Sequence, residues 1–363
     1  MNLTALARNN HPDLCWDELL ECKRAFTTRR VQLTDASSLV TDGVSPSAGD
    51  LVLARVDRLG LHQRIELPTG RRCQLHEGDK ILVAYGARYA PDQFEAVVPD
   101  DLGPCELVAG GGVAARVLSR CARVAEATKI TPMGMLVDRD GQGRNLRRWA
   151  IREEARGSDP LVIAVVGTSM NAGKTTTASK LINGLARSGL KVGAAKVTGT
   201  GSGGDIWSMT DAGACKVVDF TDHGHASTYL LDEDEVTRTA CGLIGHLASL
   251  NVDVSVIEVA DGLLQRETAF LLSCERFTER LDAVIFSAFD AAGAVYGVDQ
   301  LRRLGLPVIA LSGMLSTSPL GAREASAATG LPVLASAQLT DPTFVADLIA
   351  PLRAPAELQA LSA

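Results

Sequence analysis

The sequence predicts an α/β protein whose C-terminal domain has a mostly parallel sheet of about seven strands covered by helices. Strand-like runs that alternate with helix-length segments after residue 160 predict this domain. Within it, an apolar strand runs through a glycine-bounded loop, residues 167–175, into a helix. Short β-forming runs between Gly, Pro and Asp residues predict a smaller β-rich domain before it. We expect the domains to span residues 1–155 and 156–363.

Composition and charge narrow the classes of function. The 363 residues are 46% hydrophobic, enough to bury a sizeable core. The net charge is −7 without a basic cluster, so we expect neither nucleic acid nor an anionic membrane as partner. The eight cysteines form no C-x-x-C pair, and we interpret them as reduced thiols. We find no signal peptide and no apolar run of roughly 18 to 20 residues, which favours a cytoplasmic location.

The N-terminal elements begin with a predicted helix over residues 16–26. Alternating or clustered β-formers then predict an antiparallel barrel or sandwich, with strands at 51–56, 63–68, 71–75, 79–86 and 135–137. The run 108–118 contains Gly110–Gly112, which fits either a close approach to a ligand or a plain turn. The segment 142–160 is the predicted linker, and its arginines favour a solvated surface over an anion-binding face.

The predicted C-terminal strands form a regular series along the chain. They span residues 161–166, 192–196, 216–219, 252–258, 283–287, 307–311 and 332–335. Right-handed crossovers between them imply a parallel sheet covered on both faces. Ligands of such sheets lie beyond the carboxyl ends of the strands, so we look for chemistry there.

The loop after the first of these strands predicts a nucleoside triphosphate site. Its backbone N–H groups and the helix N-terminus suit phosphate, its lysine reaches the terminal phosphates, and its hydroxyl suits Mg²⁺. Five residues separate its two glycines, one more than in the common pattern. The predicted nucleotide-binding residues are Gly167, Thr168, Asn171, Ala172, Gly173, Lys174, Thr175 and Thr176.

Polar residues at other strand ends predict the rest of the site. Lys174 and Lys196 are the candidate catalytic cations. Thr175, Glu258 and an aspartate from residues 204–211 are the candidate Mg²⁺ ligands. Asp205 is favoured over Asp211 because it directly follows a glycine-rich loop.

These motifs resemble the ATP-dependent dethiobiotin synthetases and the related cobyrinic acid amide synthases. The resemblance spans residues 161–312 and rests on GTSMNAGKT, on GAAKVTGTGSGGD and on VSVIEVADGLL. It implies that Lys174 and Lys196 contact substrate and phosphate oxygens, that Thr175, Asp205 and Glu258 surround Mg²⁺, and that ATP activates a carboxylate or carbamate. Val259 departs from the family pattern.

A polar segment at residues 218–229 is a candidate substrate loop. Its candidate contacts are Asp222, His223 and His225, with Thr198 from an earlier strand end. A polar turn is the other interpretation, and a zinc site is disfavoured because His-x-His lacks convergent ligands.

The function predicted is an Mg-ATP-dependent ligase or kinase acting on a small carboxylate- or amine-bearing metabolite, as a homodimer. ATP is favoured over GTP because no N-K-x-D motif follows the loop. Two alternatives stay open. One is a P-loop acyltransferase that uses coenzyme A on a small amino acid. The other is a nucleotide-dependent cofactor-insertion protein or chaperone, similar to the molybdenum-cofactor guanylation partners.

Overall fold

The computed structural model describes residues 16–151 and 159–353. The chain divides into two compact units. Among the described residues, the first comprises residues 16–151, Thr200–Gly204 and Phe220–Leu230, and the second comprises residues 159–199, Asp205–Asp219 and 231–353. Cys15, Arg152, Arg156 and the predicted boundary at 155–156 lie outside the described residues, so that boundary stays a prediction.

The first unit is β-rich, as predicted. It begins with helix α1, Trp16–Glu21, which ends before the predicted residue 26 because the chain then joins a sheet. The strands that follow are β1 Lys23–Arg24, β2 Ser38–Val40, β3 Leu51–Arg58, β4 Arg64–Glu66, β5 Arg72–Gln74, β6 Lys80–Tyr85, β7 Arg88–Tyr89, β8 Phe94–Val97, β9 Cys105–Ala109, β10 Val113–Arg120 and β11 Thr128–Val137.

Five of these strands close into a barrel. β6 pairs with β3, β3 with β11, β11 with β9, and β9 with β10, all antiparallel. A parallel pairing of β10 with β6 completes the ring. Residues of all five strands share one core, and those of β3 alternate along the strand: Val52, Ala54 and Val56. The β-rich prediction therefore resolves as a barrel.

Gly110–Gly112 forms the turn between β9 and β10. Gly112 has φ +98°, and a Cβ there would lie 2.0 Å from the Cβ of Ala25. Close packing therefore accounts for this glycine.

The predicted linker contains no long helix in its described part. A 3₁₀ turn, Leu146–Trp149, is its regular element. Arg144 is buried and pairs with Asp138, and Arg148 Nε lies 3.2 Å from a carboxylate oxygen of Asp35. These two arginines therefore belong to ion pairs of the first unit.

The second unit is a parallel sheet with helices. Its strands are β12 Leu161–Gly167, β13 Val192–Lys196, β14 Lys216–Asp219, β15 Val254–Glu258, β16 Ala283–Ser287 and β17 Val308–Ser312. Its helices are α2 Lys174–Arg187, α3 Gly204–Asp211, α4 Glu233–Ser249, α5 Arg266–Ser273, α6 Glu275–Thr278, α7 Ala291–Arg303, α8 Pro319–Thr329, α9 Ser336–Thr340 and α10 Pro342–Arg353. The strand order is β14-β13-β15-β12-β16-β17.

The sheet has six strands in the described residues, one fewer than predicted. Residues 332–335 form an isolated β-bridge instead of a strand. In this bridge, Leu311 N donates to Pro332 O and Leu334 N donates to Leu311 O. The pairing stops there because α9 begins at Ser336 and turns the chain away. In the rest of the sheet the predicted strands are present, and every residue of β12 is buried.

Apolar packing places β12 at the centre of this unit. Ile163 and Val165 of β12 pack in one core with Leu181 and Leu185 of α2. Since β12 leads directly into the loop, this packing fixes both ends of the loop. Across the described residues, no helix combines the length and the apolar character needed to span a bilayer.

Candidate functional site

The loop between β12 and α2 has the backbone of an anion cradle. β12 ends at Gly167 and α2 begins at Lys174. Asn171 and Gly173 have φ values of +63° and +98°, which turn the backbone before the helix. Such a turn leaves the first N–H groups of α2 available to a phosphate, and the helix dipole favours the negative charge.

Two glycines that follow other strands of the sheet, Gly262 after β15 and Gly313 after β17, lie closely against this loop. A Cβ on Gly262 would lie 2.3 Å from Thr168 O, and a Cβ on Gly313 would lie 2.3 Å from Ala172 O. Met314 N also donates to Ala172 O at 3.0 Å. The loop is therefore confined by backbone on two sides, and any side chain at these glycines would displace it.

Lys174 lies inside the loop with 5% of its surface exposed. Its Nζ donates to Ser169 O at 2.8 Å and also to Asp261 O. Burial lowers the pKa of Lys174, while the carboxyl groups of Glu258 and Asp261 act in the opposite direction. Phosphate oxygens could replace these two carbonyls as acceptors.

Thr175 lies against the two predicted acidic ligands. Its Oγ1 is 2.9 Å from Glu258 Oε1 and 3.2 Å from Asp205 Oδ1. Lys196 Nζ forms an ion pair with Asp205 and lies 3.8 Å from Glu258 Oε1. The structure therefore brings the predicted cations and the predicted metal ligands together at the start of α2.

Burial and charge act in opposite directions on this cluster. Burial raises the pKa of Glu258, and Lys196 only partly offsets this. Burial would also raise the pKa of Asp205, but Lys196 holds it below its ordinary value. Burial would lower the pKa of Lys196, yet Asp205 and Glu258 raise it above its ordinary range. Lys196 is therefore a cation paired with an ionised Asp205.

One carboxyl oxygen in the cluster is not satisfied by the described part of the chain. Glu258 is 1% exposed, and its buried Oε2 has no hydrogen-bond partner among residues 16–151 and 159–353. A buried oxygen of this kind is costly unless a ligand binds it. The hydroxyl of Thr175 and the carboxylates of Asp205 and Glu258 are hard oxygen donors of the type that suits Mg²⁺. These residues fit a magnesium ion that takes its other ligands from phosphate and water.

The described residues contain no group of three or more His, Cys, Asp or Glu side chains that could hold a metal alone.

A cavity of about 400 Å³ opens over the cluster. Its lining includes Asp261, a strand-end residue that the sequence grouped with Glu258, and three residues that the sequence did not point to: Met170, Ala260 and Met314. Ala260 follows β15 and Met314 follows β17, so the rule that ligands bind past strand ends could have found these two.

Two further predicted residues, Asn171 on the loop and Thr176 in the first turn of α2, are exposed and also line this cavity. Asp211 is exposed at the end of α3. Thr198 is buried and donates to Ala260 O. It belongs to the second unit.

Asp222, His223 and His225 belong to the first unit. A carboxylate oxygen of Asp222 lies 2.6 Å from Arg29 Nη2, and the two histidine rings stack with centroids 6.0 Å apart. The substrate-loop assignment stays a prediction.

A family model described as "Molybdopterin guanine dinucleotide synthesis protein B" (MobB) matches residues 162–259. This stretch contains the loop, Lys196, Asp205 and Glu258. The second unit has a P-loop NTPase fold. The narrower resemblance to dethiobiotin synthetases stays a prediction. The curated proteins gave no match.

Several solved structures are distant likenesses of the chain. The signal recognition particle receptor FtsY of Elizabethkingia anophelis is 17% identical over 55% of this chain and 68% of its own, with TM-score 0.36. FtsY of Thermotoga maritima is 19% identical over 56% of this chain and 74% of its own, with TM-score 0.37. The kinase domain of the Escherichia coli tyrosine kinase ETK is 12% identical over 41% of this chain and 65% of its own, with TM-score 0.31. No functional conclusion rests on these likenesses.

Proposed function

We propose that this protein uses Mg-ATP to transfer the γ-phosphoryl group to a small carboxylate- or amine-bearing metabolite. The observation that carries the proposal is the position of Lys196. This second lysine, whose side chain is 14% exposed, pairs with Asp205 and lies close to Glu258. The hydroxyl of Thr175 contacts the same two carboxyl groups. The loop lysine alone suffices to hold phosphates, whereas a further cation suits the charge that develops during transfer.

The proposed reaction assigns one role to each group. A substrate oxygen or nitrogen forms a bond to the γ-phosphorus while the bond to the β-phosphate bridging oxygen breaks, which leaves ADP. Lys174 and Lys196 stabilise the charge on the transferred oxygens. Thr175, Asp205 and Glu258 would hold Mg²⁺, which supplies Lewis-acid stabilisation of the phosphate oxygens when bound.

The family match favours a second candidate function. MobB is described as a guanine dinucleotide synthesis protein, and its model covers the stretch that contains the site. In that candidate the chain binds a guanine nucleotide and assists the assembly of a nucleotide-bearing cofactor. GTP would then bind more tightly than ATP, and small metabolites would not stimulate turnover.

One experiment separates these candidates. ADP or GDP release is measured from Mg-ATP and from Mg-GTP, with and without pooled amino acids, diamines, dicarboxylates and bicarbonate. Stimulation of ADP release by one pool supports the ligase or kinase. Preference for GTP with turnover that is independent of the pools supports the cofactor-assembly candidate. Coenzyme A that competes with nucleotide, without any turnover, supports the acyltransferase.

The homodimer and the cytoplasmic location stay predictions. Sedimentation velocity of the full chain with and without nucleotide tests the first of these.

A further inference from the structure

We propose that Glu66 of the first unit is a positioning residue for Asp205, acting through the backbone of Gly203. This inference rests on the proposed Mg-nucleotide function. Thr200–Gly204 belongs to the first unit, and the next residue in the chain, Asp205, is a member of the site cluster. Contacts that fix the backbone of Gly203 therefore also restrict the position of the backbone at Asp205, two residues later.

The hydrogen bond to Gly203 is buried. Gly203 N donates to Glu66 Oε2 at 2.8 Å, and Glu66 is only 4% exposed. A carboxyl group of this kind makes a stronger hydrogen bond to a backbone N–H than a neutral acceptor does. Glu66 is itself held in β4, where its N–H donates to Gly110 O at 2.8 Å and its residue pairs with Arg72 of β5.

Packing around the same segment leaves it little freedom. A Cβ on Gly111 would lie 2.1 Å from Gly201 O, and a Cβ on Gly201 would lie 2.6 Å from the methyl group of Thr27. Gly201 N also donates to Ala226 O at 2.8 Å. The segment is therefore fixed by backbone contact at Gly201 and by a side-chain acceptor at Gly203.

Asp205 needs an accurate position because it acts on two partners at once. Its carboxylate accepts from Thr175 Oγ1 and pairs with Lys196. Groups that orient a metal ligand typically change metal affinity by about 10- to 100-fold when they are removed. Loss of the Glu66 hydrogen bond should therefore weaken Mg²⁺ binding more than it weakens nucleotide binding to the loop.

The test compares Glu66→Leu with Glu66→Gln in the full chain. The glutamine keeps an oxygen that can accept from Gly203 N, whereas leucine keeps the volume without an acceptor. Binding of ATP is titrated by calorimetry at increasing Mg²⁺. We expect Glu66→Leu to raise the Mg²⁺ concentration for half-maximal effect about tenfold, and Glu66→Gln to stay within about twofold of wild type.

Glu106→Leu is the matched control. Glu106 is another glutamate on a strand of the first unit, and its side chain accepts from Val117 N at 3.0 Å and pairs with Lys129. This variant should lower the thermal midpoint without moving the Mg²⁺ requirement. An unchanged Mg²⁺ requirement in Glu66→Leu, an equal shift in Glu66→Gln, or an equal shift in the control would overturn the proposal. If wild type binds ATP without any response to Mg²⁺, the proposed function fails instead.

Discussion

Three buried charged side chains differ in how the protein satisfies them. In the first unit, Asp222 pairs with Arg29, and Arg144 pairs with Asp138. In the second unit, Glu258 is 1% exposed, and its Oε2 has no hydrogen-bond partner among the described residues. The two ion pairs of the first unit are complete within the protein and serve stability. The Oε2 of Glu258 would find its partner in the Mg²⁺ ion of the proposed function.

Among the variants of the candidate site, Lys174→Ala is expected to reduce nucleotide turnover the most. It removes a cation from the phosphates without removing core packing, so nucleotide turnover should fall by about 10²- to 10³-fold. Turnover and the thermal midpoint are measured together. Lys180→Ala, an exposed lysine on the same helix, is the control and should behave as wild type. Full turnover in a folded Lys174→Ala protein would remove the loop from the mechanism.

Gly313→Ala tests how tightly the site is confined. The new Cβ would meet Ala172 O, so the loop must shift, and a displacement of about 1 Å can cost about 10²-fold in turnover. Gly305→Ala is the matched control, because Gly305 also has positive φ, +74°, but has open space around it. We expect the control to lose stability and retain turnover. Equal turnover in both variants would show that the loop tolerates displacement.

Arg29→Met tests the ion pair between Arg29 and the buried Asp222 in the first unit. The substitution removes this pair and keeps Arg30 Nη1, which lies 3.8 Å from a carboxylate oxygen of Asp222. We expect a loss of about 3 kcal/mol of unfolding free energy, measured by urea denaturation. Nucleotide affinity measured under native conditions should not change. A neutral effect on stability would mean that the pair only balances its own desolvation.

His62 makes the stability of the first unit depend on pH. Burial, and then Arg88, lower the pKa of His62 to about 4. Because this pKa lies below the ordinary value, the stability contributed by neutral His62 is present above about pH 6.5 and is lost as pH falls toward 4. The loss amounts to at most about 3 kcal/mol.

His62→Gln is the variant that isolates this effect. The amide can still donate to Val108 O, which lies 2.9 Å from His62 Nε2. Urea denaturation at several pH values should show a smaller acid loss in the variant. The same acid loss in both proteins would assign the pH dependence to other groups.

Glu258→Gln should behave in the opposite way to Arg29→Met, because it should change the Mg²⁺ requirement and not reduce stability. It should raise the Mg²⁺ concentration needed for nucleotide binding about tenfold, because a metal ligand loses its charge. Stability without ligand should stay equal or rise as pH increases above the ordinary pKa of a glutamate, since the raised pKa of Glu258 means that its ionisation costs stability as pH increases. A large loss of stability would show that Glu258 is structural.

Much of the second unit could be predicted from sequence because its strands and its phosphate loop are each encoded by one contiguous stretch of residues. Each β strand of a parallel sheet is a continuous apolar run, and the phosphate loop is one contiguous segment. The positions of Lys196 and Glu258 at strand ends were therefore enough to predict that they lie near Thr175. The predicted strand at 332–335 was wrong because apolar character alone does not show where the chain turns into α9.

Tertiary structure decided what depends on pairing between distant residues. The barrel closes only when β10 pairs with β6, and the short β7 and β8 have too few residues to give a pattern. That Thr200–Gly204 belongs with the first unit likewise follows from contacts to Gly111 and Glu66, about 90 and 137 residues away in sequence. The sequence by itself determined the phosphate loop, the strand-end charges and the class of each unit. The structure alone decided which buried charges are satisfied, because that depends on distances between side chains far apart in the chain.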